Sequence, residues 1–331
     1  MASQQATKSQ KHDHDGQLAV VVPCYRETTK ILDVIASIGE EVSRIYVVDD
    51  ACPDKTGEYV RENCTDNRVE VLTHTTNKGV GGATMTGYKK AIEEGIEIII
   101  KIDGDGQMDP SLIAGLVAPL LEGEADYVKG NRFYNLDGLS EMPNVRIFGN
   151  LALSFASKMS SGYWNIFDPT NGFTALHVDA ARKLPFDKID EGFFFESDML
   201  FRLNLIRAVV VDLPMPARYG DEQSSLKIGS VIFSFAAKHY VNTMKRIFYS
   251  YFIRDFNLPS IELIFGKLLL LFGLIFGLFS WYESSKTDVN ASAGTVLLAA
   301  LPIILGFQLL LAFLNFDTKS VPQKPINHRH Q

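Results

Sequence analysis

The stretch Ile98-Ile99-Ile100-Lys101-Ile102-Asp103-Gly104-Asp105-Gly106-Gln107-Met108-Asp109-Pro110 constrains the fold of this chain more than any other. An apolar run of strand length ends in two carboxylates two residues apart. A glutamine follows two residues later, and a proline then opens a helix. In an open parallel sheet, ligands bind at the carboxyl ends of the strands, which is where Asp103, Asp105 and Gln107 fall. Asp-x-Asp-x-Gln supplies oxygens to a hard divalent cation that keeps room for a diphosphate. Gly104 and Gly106 let the backbone come close. For an isolated Asp-Gly-Asp the plainer alternative is a solvated acidic turn.

The flanking sequence repeats the strand-to-helix pattern. Apolar strands are expected at Leu18–Val22, Arg44–Val48, Val69–Thr73, Glu97–Ile102, Ala125–Lys129 and Val209–Leu213, with helical patterns between them. That alternation implies βαβ units and a mainly parallel sheet with right-handed crossovers. The turn Asn77-Lys78-Gly79-Val80-Gly81-Gly82-Ala83 opens the helix after the third strand. It is not a dinucleotide fingerprint: Thr84 stands where the third glycine belongs, and the fingerprint marks the first βα turn. This disfavours a nicotinamide-dependent dehydrogenase, while a helix N-terminus at this turn still suits an anion.

Four segments in fixed order carry a resemblance: Val21-Val22-Pro23-Cys24-Tyr25-Arg26-Glu27, Val48-Asp49-Asp50 with Asp54-Lys55-Thr56, Asn77-Lys78-Gly79-Val80-Gly81-Gly82-Ala83, and Asp103-Gly104-Asp105-Gly106-Gln107. The chain resembles family 2 glycosyltransferases, and more closely their polyprenyl-phosphate branch, over roughly Leu18 to Lys227. The resemblance implies an α/β nucleotide-diphospho-sugar transferase (GT-A type) fold and a nucleotide-sugar donor. It places Pro23, Tyr25 and Glu27 along the nucleotide pocket and Asp49 against the base or ribose, and it adds Asp50 and Lys78 to the donor-binding set. Asp103 and Asp105 flank the diphosphate, and Asp103, Asp105 and Gln107 form the site for Mg2+ or Mn2+. Arg26 departs from the asparagine usual in the family.

Arg132 follows the fifth strand and Arg146 opens a later helix. Guanidinium forks suit phosphate, and the resembling family uses arginines at these motif positions for the acceptor phosphate. Asp168-Pro169-Thr170-Asn171-Gly172-Phe173 reads as a tight, shaped loop; a similar segment in the family contacts sugar and acceptor. Glu196 opens a helix where relatives hold a general base. A phosphate monoester is already anionic at neutral pH, so Glu196 is expected to orient a sugar hydroxyl or an arginine. Pro216–Lys227 looks like the family's Arg-x-x-Gly-x-Ser-Lys segment in stretched form, with Arg218 and Lys227 approaching phosphate charge.

Mean hydropathy is +0.04, high for a purely soluble protein, and the excess sits in the last quarter. Ile261–Tyr282 and Gly294–Phe316 are each long enough for the ~30 Å hydrocarbon core. Gly229–Phe256 reads as amphipathic helices at a membrane surface. Basic residues flank the pair of spans while the loop between them has one lysine, which puts both termini in the cytoplasm of an inner-membrane protein. The polar N-terminus has no apolar core of a signal peptide, and Cys24, Cys52 and Cys64 have no metal-ligand spacing, so they are expected as reduced thiols.

The expected layout is a disordered tail 1–16, a catalytic domain 17–228, juxtamembrane helices 229–258, two spans 259–316 and a cytoplasmic tail 317–331. The net charge of −7 disfavours a nucleic-acid partner. The expected partners are a nucleotide-sugar such as UDP-glucose or GDP-mannose, a polyprenyl phosphate, the membrane and, through self-association, other copies of the chain. A processive polysaccharide synthase would want more spans and a Gln-x-x-Arg-Trp motif, which neither Trp164 nor Trp281 provides. A catalytically dead membrane scaffold would not need the Asp103, Asp105 and Gln107 set.

Overall fold

The computed structural model describes residues 18–133, 144–216 and 228–326; the expected tail 1–16 lies outside them. The strands are β1 Leu18–Cys24, β2 Arg44–Asp49, β3 Val69–Thr73, β4 Ile98–Lys101, β5 Tyr127–Asn131, β6 Thr174–His177 and β7 Val210–Pro214. They form one sheet in the order β3-β2-β1-β4-β6-β5-β7. Every pairing is parallel except those of β6, which runs antiparallel to both β4 and β5. Six strands match the sequence expectation. The seventh, β6, is an addition: it closes the gap between two parallel strands, so the sheet is mainly rather than wholly parallel.

The helices α1 Ile31–Ala36, α2 Thr56–Asn63, α3 Gly79–Glu93, α4 Ile113–Leu121, α5 Asn144–Ser161, α6 Val178–Ala181 and α7 Phe195–Leu205 cover the sheet. Successive side chains of a strand point to opposite faces, and here both faces are buried. Leu18, Val20 and Val22 of β1 join Ile98 and Ile100 of β4 against α1 and α4. Ala19 and Val21 join Ile99 and Tyr127 against α3 and α7. Burial on both sides explains why these strands read as unbroken apolar runs rather than alternating ones.

The C-terminal quarter is helical: α8 Ile228–Phe248, a π-helical turn Tyr249–Arg254, α9 Leu258–Thr287 and α10 Ala293–Lys319. The last two contain the expected spans and are long and apolar enough to cross a membrane. They pack as an antiparallel hairpin in which Gly266 meets Gly306 and Gly273 meets Ala299 and Ile303. A Cβ on Gly306 would lie 2.7 Å from the Leu270 nitrogen and 2.8 Å from the Gly266 carbonyl; small residues let apolar helices approach this closely. Their outer surface presents side chains such as Phe265, Leu268, Leu278 and Phe307. At the hairpin's root the buried Asp317 accepts from both Nη atoms of Arg246 (2.6 and 3.0 Å), from the Tyr251 hydroxyl (2.6 Å) and from the Trp164 indole (3.0 Å).

The segment assigned to a cytoplasmic tail behaves differently over its first part. After α10 the chain folds back onto the sheet, burying Val321 and Ile326 in the core. The Ile326 N–H donates to Asp126 at 2.7 Å, a carboxylate that also accepts from the Val209 N–H at 2.7 Å. Burial of two aliphatic side chains and a charge-assisted bond to a fully buried aspartate tie this segment down.

Candidate active site

The carboxyl ends of β1, β2, β4 and β5 meet along one edge of the sheet, and the candidate residues lie there. At the tip of β4, the Asp103 carboxylate lies 2.6 Å from the Lys101 Nζ, with side chains 30% and 1% exposed respectively. The same Nζ lies 3.5 Å from Glu196 in the first turn of α7. Burial pulls the Lys101 ammonium down, but Asp103 and then Glu196 outweigh it and hold the ammonium above its ordinary value. Lys101 therefore ties the β4 carboxylate to the α7 carboxylate. Asp105 accepts the Gln107 N–H at 2.9 Å, closing the loop that presents both. Gly106 has φ +73°, a left-handed conformation natural to glycine.

The expected shaped loop, 168–173, spans the two tips. Gly172 packs on β4: a Cβ there would stand 2.5 Å from the Lys101 Nζ and 2.6 Å from an Asp103 oxygen. At its other end the fully buried Asp168 holds Arg132 in a bidentate pair, Nε at 2.8 Å and Nη2 at 2.9 Å. Arg132 thus leaves the end of β5 in a fixed direction. Under the loop, Lys129 donates to the Asn171 carbonyl. Burial pushes this lysine down to about 8, against the pull of Glu196, Asp168 and Asp212. Asp212 on β7 is pushed up to about 6, also by burial.

The β1 tip presents Tyr25, 43% exposed, with the Arg26 guanidinium 5.4 Å from its ring centroid. An exposed aromatic ring can stack on a base. Pro23 is buried in the strand end, and Glu27 lies beside Gly104, joining the β1 and β4 tips. At β2 both aspartates are buried and engaged by protein donors. Asp49 accepts the Cys52 and Gly57 N–H groups at 2.8 and 2.6 Å. Asp50 accepts the Lys78 and Gly79 N–H groups at 2.8 and 2.7 Å and pairs with His74 at 2.7 Å.

This changes the reading of the glycine-rich turn as an anion site. Its Lys78 and Gly79 amides are taken by Asp50, and the Gly82 N–H donates to the Glu191 carbonyl at 3.1 Å. The glycines let α3 press on the backbone before α7: a Cβ on Gly81 would be 2.5 Å from the Asp190 carbonyl. The exposed Lys78 side chain remains at this rim.

Arg146 lies in the first turn of α5, with its side chain outside those described, and Arg218 and Lys227 lie outside the described residues. Sequence reasoning overlooked Lys101, Lys129 and the capping of the glycine turn by Asp50. A signal existed for the lysines. Each sits within an apolar strand, and a lysine buried there requires a carbonyl or carboxylate partner.

Among the described residues no group of three or more His, Cys, Asp or Glu side chains could hold a metal. Asp103, Asp105 and Gln107 offer two carboxylates and a carboxamide. That oxygen-only set suits Mg2+ or Mn2+, ions that keep water and substrate phosphates as further ligands.

The glycosyl transferase family 2 model matches residues 19–185. A UDP-N-acetylglucosamine–dolichyl-phosphate N-acetylglucosaminyltransferase from Methanococcus voltae is 33% identical over 184 residues, covering 51% of this chain and 73% of that protein. An undecaprenyl-phosphate mannosyltransferase from Micrococcus luteus is 29% identical over 203 residues, covering 60% and 82%. Among solved structures, glucosyl-3-phosphoglycerate synthase from Mycobacterium tuberculosis, crystallised with Mn2+, UDP and glucosyl-3-phosphoglycerate, aligns with a TM-score of 0.52 at 18% identity over 70% of this chain and 79% of that one. That likeness is one of fold. The matched segment runs from β1 through the reversed β6 and includes both the Asp103 and Arg132 tips, so the chain belongs to glycosyl transferase family 2, a glycosyltransferase of the GT-A fold with two apolar C-terminal helices as candidate membrane spans.

Proposed function

We propose that the protein transfers a sugar from a nucleotide-sugar to a polyprenyl phosphate, giving a lipid-linked sugar with inverted anomeric configuration. One observation carries the reading: two tips on the same edge of the sheet, on either side of β6, present opposite charges, Asp103 over buried Lys101 and Arg132 over buried Asp168. The negative tip suits a cation and the diphosphate it accompanies, and the positive tip suits a phosphate acceptor. The name of the Methanococcus voltae relative carries the same pairing of donor and acceptor, and that of the Micrococcus luteus relative the same class of acceptor. UDP-glucose and GDP-mannose are the first donors to test, with UDP-N-acetylglucosamine added because of the Methanococcus voltae relative.

In the reaction a phosphate oxygen of the lipid forms a bond to the anomeric carbon. The bond from that carbon to the donor's diphosphate breaks, and its electron pair leaves with the nucleoside diphosphate. Mg2+ or Mn2+, when bound, supplies charge neutralisation for the departing diphosphate, and Asp103, Asp105 and Gln107 are the residues that would hold it. Tyr25 stacks on the base, and Pro23, Glu27, Asp49, Asp50 and Lys78 shape the rim around it. Arg132, with Arg146, Arg218 and Lys227, orients the acceptor phosphate, where positioning and electrostatics dominate. Glu196, fixed by Lys101, orients a sugar hydroxyl. The acceptor needs no general base, being ionised at neutral pH.

The spans hold this edge at the headgroup layer, with the catalytic domain and both termini in the cytoplasm. Asp105→Ala is expected to abolish transfer of radiolabelled sugar to undecaprenyl phosphate in membranes, by at least about a hundredfold, with the folded protein intact. Retained transfer removes the cation assignment. A panel of nucleotide-sugars against the purified wild type names the donor.

A further inference from the structure

Arg132 and Asp168 belong to segments 36 positions apart, and their bidentate pair forms only when the two segments keep one spacing. Asp212 on β7 sets that spacing with a single oxygen. Its Oδ2 accepts the Asn131 Nδ2–H at 2.9 Å and the Phe167 N–H at 3.0 Å. Asn131 immediately precedes Arg132, and Phe167 immediately precedes Asp168. The Asn131 side chain also turns back, its Oδ1 accepting the Phe133 N–H at 2.9 Å. Arg132 is thus flanked by two fastened neighbours, and its own N–H donates to Asp168 at 3.2 Å.

Other contacts hold the second segment in place. Asn165 donates to the Val210 carbonyl of β7 at 3.2 Å, and the Ser154 hydroxyl of α5 donates to the Phe167 carbonyl at 2.7 Å. The Phe133 and Phe167 rings meet edge to face, 5.6 Å between centroids. Those contacts fix the segment itself. The Asp212 carboxylate is what fastens it to the residue before Arg132.

The charge on Asp212 is held against the preference of the fold. Its Oδ1 is buried and has no hydrogen-bond partner among the described residues. The charged groups that face it are Lys129, its register partner on β5, Asp168 on the loop and Lys158 on α5. Burial outweighs the pull of Lys129 and pushes Asp212 up to about 6, so at neutral pH the folded state bears a charge it would hold more readily as a neutral group. Asparagine has nearly the same shape and would still offer an acceptor to Asn131 and Phe167. A carboxylate in such a place points to a demand other than stability.

We propose that Asp212 is a positioning residue for the acceptor: through Asn131 and Phe167 its carboxylate sets the direction in which Arg132 meets the lipid's phosphate. The inference rests on the reading of Arg132 as a ligand of that phosphate.

The test compares the full-length wild type, Asp212→Asn, Arg132→Ala and the double variant in membranes, by radiolabelled transfer and by donor hydrolysis without acceptor. At pH 7.5 Asp212→Asn raises the KM for undecaprenyl phosphate about fivefold, the difference between a charge-assisted and a neutral acceptor, and leaves donor hydrolysis within about twofold. At pH 5 the ratio of variant to wild type falls to about one, because Asp212 is then protonated in the wild type. The acceptor's phosphate titrates in the same range and cancels in that ratio. The thermal unfolding midpoint of Asp212→Asn at pH 7.5 is no lower than that of the wild type, whereas a merely structural carboxylate would lower it along with both reactions. In the Arg132→Ala background Asp212→Asn changes the acceptor KM by less than about twofold, as expected when one residue acts through the other. Asn131→Ala cuts the link without removing a charge and raises the acceptor KM in the same direction, so the outcome does not depend on the Asp212 variant folding. An unchanged acceptor KM in Asp212→Asn, a ratio that stays constant with pH, or the same fold-change with and without Arg132 overturns the inference. An Arg132→Ala variant with the wild-type acceptor KM removes instead the reading on which it rests.

Discussion

The tips of β4 and β5 are built alike with the charges exchanged. At β4 a carboxylate, Asp103, stands over a buried ammonium, Lys101; at β5 a guanidinium, Arg132, stands over a buried carboxylate, Asp168. The presented side chain is 30% exposed in both pairs, and the one beneath is 1% exposed in the first and 0% in the second. A charge left alone at the end of a hydrophobic strand would lose solvation with nothing to offset it. A buried counter-charge fixes the direction of the presented group. The comparison teaches that each sign is held by its own opposite, so the two tips can be disabled separately although the loop 168–173 touches both.

The largest effect is expected from Lys101→Met. It leaves Asp103 and Glu196 facing each other without the ammonium between them, and removing one partner of a buried ion pair costs about 3–5 kcal/mol. Transfer should fall by at least about a hundredfold, since the cation-holding carboxylate loses its orientation. Thermal unfolding and radiolabelled transfer measure the two losses. A variant that transfers normally would show that the β4 carboxylate needs no anchor, and the likeness of the two tips would be superficial.

Asp168→Asn acts on the other tip and should do less. Asparagine keeps one acceptor for Arg132 but removes the charge and the bidentate fit. The KM for polyprenyl phosphate should rise about tenfold, while hydrolysis of the donor in the absence of acceptor stays within about twofold. Equal losses in both reactions would mean that the β5 tip serves the donor as well, and the division between tips would fail.

Much of this edge was legible in the sequence because its strands are buried on both faces. Ile98–Ile102 and Leu18–Val22 read as strands from their unbroken apolar character, and Asp103 and Asp105 then had to lie at a carboxyl end. β6 was not legible: Thr174-Ala175-Leu176-His177 is four residues long, with polar side chains at both ends, and becomes a strand only because β4 and β5 flank it. Asp50 and the glycine turn were each visible, but their hydrogen bonds join residues 28 and 29 positions apart, which no local pattern reveals. The return of Val321 and Ile326 to the core lay in Val-Pro-Gln-Lys-Pro-Ile, which has neither helical nor strand periodicity. Lys101 and Lys129 were there to be noticed as lone cations in apolar strands.

Those two lysines give the finest test of how the tips differ. Lys129 is fully buried like Lys101, yet it binds a carbonyl rather than a carboxylate. Burial lowers it from 10.5 to about 8, whereas Lys101 is raised. Between pH 8 and 10.5 the unfolded chain binds a proton at residue 129 that the folded chain has shed, so stability rises with pH across that window, by up to about 3 kcal/mol from this group. Below pH 8 the full penalty is present. Lys101 has the opposite sign: its contribution is complete below 10.5 and is lost only at higher pH, so it is silent over the same interval. Lys129→Met should therefore change turnover least of the three substitutions, while flattening the pH dependence of the wild type. The measurement is the difference in thermal unfolding between wild type and Lys129→Met at pH 7, 8.5 and 10, which should move in favour of the wild type as pH rises. A difference that stays constant would place the ammonium of Lys129 in the same protected state as that of Lys101, and the carbonyl of Asn171 would then be as good a partner as a carboxylate.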